Sequence, residues 1–303
     1  FIGHKLRIFI LYCFMLKGSI VALITPFKDS GLDEENYLKL IDYHLKNGTN
    51  GIVPGGTTGE SPTLSHNEHK KIIEISVKEC NSKIPVVAGT GSNSTDEAIE
   101  LSKFAEKAGS DAILVVTPYY NKPTQEGLYQ HYKKINDNVG IPIIIYNIPS
   151  RSVIDMSVET MTKLYELKNI IGVKDATGDL KRVELQKKSM GKDFIQLTGN
   201  DDNALEFNKL GGVGAIGVTA NIAAKLSSEF QKACLDNINK AAELDKILQP
   251  LHTAMFIESN PSPVKYAASL LNMCNASVRL PLVEVQEQTK KKISDALKVA
   301  KIL

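Results

Sequence analysis

The chain has 303 residues, with 36 Lys and Arg against 34 Asp and Glu, a formal charge of +2 and 43% hydrophobic residues. That balance excludes nucleic acid as the main partner, because phosphate neutralisation needs clustered positive charge, and the aliphatic content excludes a disordered chain. The cations are nearly all lysine: Arg7, Arg151, Arg182 and Arg279 are the only arginines, whereas polyanion recognition leans on the guanidinium fork.

Residues 1–14 differ in character from the remainder of the chain. Their apolar run, Ile8 to Phe14, is seven residues long, against the roughly 20 needed to cross a bilayer. No signal-peptide cleavage pattern comes after it. Met15 reads as a start residue, with 1–14 an upstream or non-native extension, and the expectation is a cytoplasmic protein with no membrane partner. Cys13, Cys80, Cys234 and Cys274 are widely spaced without a metal-binding pattern and read as reduced, buried hydrophobes.

From Val21 onward, short β-branched runs alternate with amphipathic helical stretches. The predicted strands are 21–25, 51–54, 85–89, 112–117, 142–147, 170–174, 195–198 and 215–219, apolar on both faces as in a covered parallel sheet. Between them lie helix signals. Asp33 opens one segment and Gly48 closes it; Ser65…Glu68 and Ser94…Glu97 match the capping box; Gly109, Gly140 and Gly191 stand where helices end. Eight βα units of this size predict a (β/α)8 TIM barrel over 15–235. Residues 236–303 read as helix only, a C-terminal helical appendage. A doubly wound open sheet is the competing architecture.

Barrel chemistry sits at the C-terminal ends of the strands. The second strand runs into Gly55-Gly56-Thr57-Thr58-Gly59-Glu60-Ser61, a turn whose amides can hold a small carboxylate or phosphate. The fourth and fifth end in Pro118-Tyr119-Tyr120 and Tyr146-Asn147-Ile148-Pro149-Ser150-Arg151, offering phenols for proton transfer and a guanidinium clamp. The sixth ends in Lys174-Asp175. A lysine at the end of an apolar strand loses hydration, which favours the neutral amine that attacks carbonyls; otherwise it snorkels to solvent or pairs with a carboxylate. His66 and His69 form an H-x-x-H pair without a third ligand, so no metal is expected. Gly89-Thr90-Gly91-Ser92-Asn93-Ser94 with Asp111 is an imperfect dinucleotide fingerprint.

Taken together, Gly18-Ser19, Thr25-Pro26-Phe27, Gly56 to Ser61, Thr117-Pro118-Tyr119-Tyr120-Asn121, Tyr146 to Arg151, Gly172-Val173-Lys174 and Asn260-Pro261 resemble the 4-hydroxy-tetrahydrodipicolinate synthase family of Schiff-base pyruvate aldolases. The resemblance runs from about Gly18 to the C-terminus. It implies a lyase in which Lys174 forms an imine with pyruvate and Tyr146, Thr58 and Tyr120 relay protons, Tyr120 from a neighbouring subunit. Thr57 and Thr58 would hold the pyruvate carboxylate, Arg151 would position L-aspartate 4-semialdehyde, and Gly199 and Ile216 would offer backbone carbonyls. No cofactor is implied. The partners are the two small molecules and further copies of the chain, a dimer at least and by family habit a tetramer. An effector site for lysine is implied at Ser61, Pro62, His66, His69, Asn93, Glu97 and Tyr119. Three alternatives stay open: a sibling lyase acting on sialic acid or 2-keto-3-deoxy sugar acids, a nicotinamide oxidoreductase resting on the Gly89–Ser94 motif, and a non-catalytic keto-acid sensor.

Overall fold

The structure, a computed structural model, describes residues 16–29 and 31–303; the expected extension at 1–14, with Cys13, lies outside them. Ten strands are found among the described residues: β1 Gly18–Ala22, β2 Phe27–Lys28, β3 Gly31–Leu32, β4 Gly51–Val53, β5 Val87–Gly89, β6 Ala112–Val116, β7 Ile143–Asn147, β8 Ile170–Asp175, β9 Ile195–Thr198 and β10 Gly214–Gly217. Eight of them form one parallel sheet in the order β4-β1-β10-β9-β8-β7-β6-β5, and an Ile52–Val86 bridge joins the two outermost members. Closure of the ring makes this a (β/α)8 barrel rather than an open doubly wound sheet. The remaining two strands pair as a small hairpin that the strand periodicity did not announce.

Side chains alternate across each strand, and this sorts the apolar residues into layers. One set, including Ile20, Val53, Val87, Leu114, Ile144, Ile171, Leu197 and Ile216, forms a single cluster from all eight barrel strands. The opposite faces pack against the helices in two further clusters.

The helices are α1 Glu34–Lys46, α2 His66–Cys80, α3 Thr95–Ala108, α4 Gln125–Asn138, α5 Pro149–Ser152, α6 Val158–Tyr165, α7 Lys181–Met190, α8 Ala204–Lys209, α9 Ala224–Asp236, α10 Ile238–Met255, α11 Ser262–Leu270 and α12 Glu287–Val299. Their starts reflect side-chain capping: Asp33, Ser65, Thr124, Ser157 and Asn237 each accept a backbone N–H of the first turn. Gly109 and Gly191 end α3 and α7 at positive φ. Gly140 does not end a helix; α4 stops at an extended Val139, and the Gly140 amide donates to Glu106.

Four other expectations need correction. The first strand lies earlier than 21–25, because the Ile24 amide leaves the ladder to donate to the Asn221 side chain at 3.0 Å. The last stops at Gly217, because the Val218 and Thr219 amides donate to Asp201. The C-terminal region is not helix throughout: 271–286 is irregular, which lets Arg279 descend onto Glu68 and the Phe27 ring. Cys80 and Cys274 are buried free thiols as expected, but Cys234 is only half-buried, on the outer helix α9. The helices after α9 share one core cluster with barrel residues such as Val21 and Ile52. No helix among the described residues is long and apolar enough to cross a membrane.

Candidate active site

Neighbouring strands β7 and β8 are in register at Tyr146 and Lys174. Parallel strands lie close enough for same-face side chains to touch, and here the Lys174 Nζ sits 4.2 Å from the centre of the Tyr146 ring. Both are buried, at 5% and 6% exposure. No carboxylate pairs with Lys174 among the described residues, so it is neither a snorkelling lysine nor an ion-pair partner. The next residue, Asp175, is occupied elsewhere, accepting from Arg182 Nε and Gln186 Nε2 at 3.1 Å each.

Gly199 follows β9 and borders the same lysine. A Cβ there would lie 3.0 Å from Lys174 Cε and 2.8 Å from the Ala176 Cβ. The absent side chain gives the lysine its room. Ile216, on β10, is fully buried in the barrel interior.

Thr57 and Thr58 occupy the turn after β4, which is tightened by Glu60 N–H to Thr57 O at 3.1 Å and Ser61 N–H to Gly56 O at 3.3 Å. Thr58 is buried, and its Oγ1 accepts from the Asn260 side-chain amide at 3.0 Å. Arg151 is exposed in α5, where its Nη2 donates to the Asn260 backbone carbonyl at 3.2 Å. Asn147 anchors the loop carrying it, donating to Asp155 and accepting from the Met156 amide. Asn260 therefore touches both Thr58 and Arg151. It stood in the sequence motif without a role, since nothing local tells which residue 202 positions away it meets.

Tyr120 is not assembled with this group. It is 89% exposed, with φ at +73°, and among the described residues no hydrogen bond or ring contact joins it to Lys174 or Tyr146. A bulky side chain at positive φ is strained.

The residues of the expected effector site meet only in part. His66 Nε2 and Glu97 Oε1 are 2.8 Å apart, and Ser92 Oγ donates to the other Glu97 oxygen. Those donors, Ser92 foremost, hold the Glu97 carboxyl below its ordinary range. The capping-box reading of Ser94…Glu97 is thus half right: Ser94 caps the Glu97 amide, but the carboxylate turns to His66 instead of closing the box. The Ser65…Glu68 box is complete. His69 is buried, with Nε2 against the Gly89 carbonyl at 2.7 Å, and burial pushes its basicity down. Asn93 accepts from Asn121 through its backbone carbonyl, Tyr119 is half-buried, and Ser61 begins a short 3₁₀ turn.

The Gly89–Ser94 motif has a packing explanation. A Cβ on Gly89 would strike the Gly55 carbonyl at 2.4 Å, and one on Gly91 the Val116 amide at 2.3 Å. Asp111, the acid expected on a ribose, accepts from the Val86 amide at 2.8 Å. These residues close the barrel.

Comparison with known proteins agrees with the barrel fold. The Dihydrodipicolinate synthetase family matches residues 15–300. The 4-hydroxy-tetrahydrodipicolinate synthase of Pelagibacter ubique is 69% identical over 293 residues, covering 95% of this chain and all of the relative. The crystal structure of the chloride-inhibited dihydrodipicolinate synthase of Acinetobacter baumannii complexed with pyruvate superposes with a TM-score of 0.93 at 46% identity, covering 95% of this chain and 100% of that one. That of the Cyanidioschyzon merolae enzyme with lysine bound gives 0.92 at 34% identity, over 95% and 99%. With a match across nearly its whole length and a lysine–tyrosine pair at the strand ends of a closed barrel, the chain belongs to the dihydrodipicolinate synthetase family.

Proposed function

We propose that this protein is a lyase condensing pyruvate with L-aspartate 4-semialdehyde to 4-hydroxy-tetrahydrodipicolinate, a step of lysine biosynthesis, and that Lys174 carries the chemistry. The observation that bears most weight is the buried Lys174 amine over the Tyr146 ring, paired with no carboxylate among the described residues and beside the space left by Gly199. A primary amine in a confined site attacks the pyruvate C2 carbonyl; the carbinolamine loses water to give an imine; a C3 proton leaves to give the enamine; the enamine carbon attacks the aldehyde, whose oxygen takes a proton; and the aldehyde's own amine then closes on the imine carbon and displaces Lys174. Each step needs a proton moved, and a phenol can give and take one without a standing charge. Tyr146 is assigned that role, with Thr58 as relay. The turn amides and hydroxyls of Thr57 and Thr58 hold the pyruvate carboxylate, backbone groups at Gly199 and Ile216 line the site, and Arg151 holds the aldehyde's carboxylate.

Arg151 favours this aldehyde over the polyol-bearing substrates of sialic-acid and keto-sugar-acid lyases, because a guanidinium is matched to a carboxylate. Tyr120 is assigned to a neighbouring copy's site: exposure at positive φ is costly unless a second chain uses it. The working unit is then a homodimer at least, pairing into a tetramer, in the cytoplasm. Lysine is proposed as an inhibitor bound near His66 and Glu97, where a carboxylate held below its ordinary range by Ser92 and His66 can also take an ammonium group; the relative with lysine bound supports that choice.

The test is borohydride reduction in excess pyruvate, followed by peptide mapping. A pyruvate-derived adduct on Lys174, absent in Lys174→Ala, is the expected result. An unlabelled Lys174 in folded protein overturns the mechanism. Arg151→Met should keep the adduct while raising KM for the aldehyde.

A further inference from the structure

Asn260 lies between α10 and α11, 5% exposed, and brings the C-terminal region into contact with Thr58 and Arg151. Its Nδ2 donates to Thr58 Oγ1 at 3.0 Å, the hydrogen bond made by that hydroxyl among the described residues. A hydroxyl has one proton and two lone pairs. An amide N–H seated on a lone pair leaves the proton free to point elsewhere, and Thr58 is 2% exposed, so water is not its natural acceptor. Asn260 Oδ1 is also buried without a partner among the described residues. Buried polar atoms of this kind are rare because each forfeits its hydration. One donor and one acceptor are therefore left open by the same pair of side chains, while the Asn260 backbone carbonyl takes the Arg151 guanidinium at 3.2 Å.

We propose that Asn260 is a positioning residue: by donating to the Thr58 oxygen it turns the Thr58 proton toward the bound keto acid, and by accepting from Arg151 it sets the guanidinium at the same site. The proposal rests on the pyruvate-lyase reading above. It differs from a merely structural tie between loop and turn, which would hold equally well with the hydroxyl bond reversed.

Reversal is what Asn260→Asp brings about. The carboxylate keeps the size and an acceptor but removes the donor, so it takes the Thr58 proton for itself. The expected result is a kcat lower by on the order of 10- to 100-fold at neutral pH, in a protein that still folds but with a lowered Tm, since the carboxylate is buried. Activity relative to that enzyme rises as pH falls and the carboxyl regains a proton to donate. Asn260→Ala lowers kcat similarly, and in a Thr58→Val background its further cost drops below about 3-fold, because the two act as one unit. Additive losses, or Asn260→Asp with kcat within about 3-fold and a pH profile unchanged, would overturn the proposal. Should Asn260→Ala fail to fold, the aspartate variant carries the test. Borohydride trapping of the unsubstituted enzyme separates the two failures. No adduct on Lys174 removes the underlying lyase reading, whereas an adduct combined with an indifferent Asn260→Asp removes this inference alone.

Discussion

Glu60 and Lys265, 205 positions apart in sequence, form an ion pair of 2.7 Å in which neither side chain is more than 1% exposed. Glu60 stands in the turn that carries Thr57 and Thr58, at φ +57°. Lys265 also donates to the Thr25 carbonyl at 2.8 Å and lies over the Phe27 ring, whose neighbourhood it shares with the Arg279 guanidinium. The Arg279 amide donates to the second Glu60 oxygen. Burial pushes the lysine toward its neutral form, and Glu60 pulls the other way. The turn is thus held from below by charges that only the C-terminal region supplies.

Removing one partner leaves a buried charge uncompensated. Lys265→Met should therefore destabilise the protein by about 3–5 kcal/mol, read as the shift in guanidinium unfolding. Adding Glu60→Gln should recover a large part of that loss. A single variant as stable as the unsubstituted protein would show that the pair does not hold the turn.

Gly199→Ala tests the room around Lys174. The new methyl would meet the Ala176 Cβ at 2.8 Å and Lys174 Cε at 3.0 Å, so Ala176 must shift and the lysine must yield slightly. A displacement of about 1 Å costs roughly 100-fold in a positioned reaction. The slight yielding of Lys174 costs less: the adduct-forming rate with pyruvate should fall by about 3- to 10-fold, and the unfolding midpoint should drop as Ala176 is displaced. An unchanged rate would mean that the lysine reacts from another rotamer.

Glu97 offers a direct check on regulation. Glu97→Gln removes the charge that faces His66 and Ser92. The lysine concentration for half-inhibition should rise at least 10-fold, measured against the variant's own uninhibited rate. Loss of sensitivity should not appear in Lys70→Gln, whose partner is Glu100 on the exposed surface. Equal sensitivity of Glu97→Gln and the unsubstituted enzyme would place any lysine site elsewhere.

Acid should destabilise the fold in two stages. Burial lowers His44 from 6.5 to about 3 and His131 from 6.5 to about 4. The Arg279 hydrogen bond, ahead of the opposing effect of burial, lowers Glu68 from 4.5 to about 2. In each case the unfolded chain binds a proton before the folded one, so stability rises with pH across the interval. The contribution of the histidines is whole above about pH 6.5 and is lost as pH falls toward 4 for His131 and toward 3 for His44; that of Glu68 is whole above about 4.5 and is lost toward 2. Urea midpoints at pH 7.5, 5.5 and 4.5 should fall in order, and His44→Gln should flatten the first step. A midpoint constant over that range would exclude this linkage.

The alternation of strand and helix was readable because its causes are local. β-branched runs such as Ile143–Asn147 and caps such as Ser65 act within a few residues. The strand-end position of Lys174 and Tyr146 came from the same period. What failed at the margins were places where a distant side chain competes for a backbone amide: Asn221 shortens the first strand and Asp201 the last. Glu97 looked like a capping acid because the pattern is local, yet its carboxylate is won by His66 on another helix.

Two lysines mark the boundary of local reading. Lys174 and Lys265 are both buried, and each sits 4.2 Å from an aromatic ring centre, Tyr146 in one case and Phe27 in the other. Composition and periodicity treat them alike, apart from Lys174 standing at a strand end. The barrel, its strand ends and the motifs that flag the first lysine are all written in the linear order of residues, because hydrophobic period and capping act over one element at a time. That a carboxylate reaches Lys265 and none among the described residues reaches Lys174, and that Asn260 arrives at Thr58, emerges only in three dimensions. Such contacts are made by barrel closure and the return of the C-terminal helices, which bring together residues roughly two hundred positions apart.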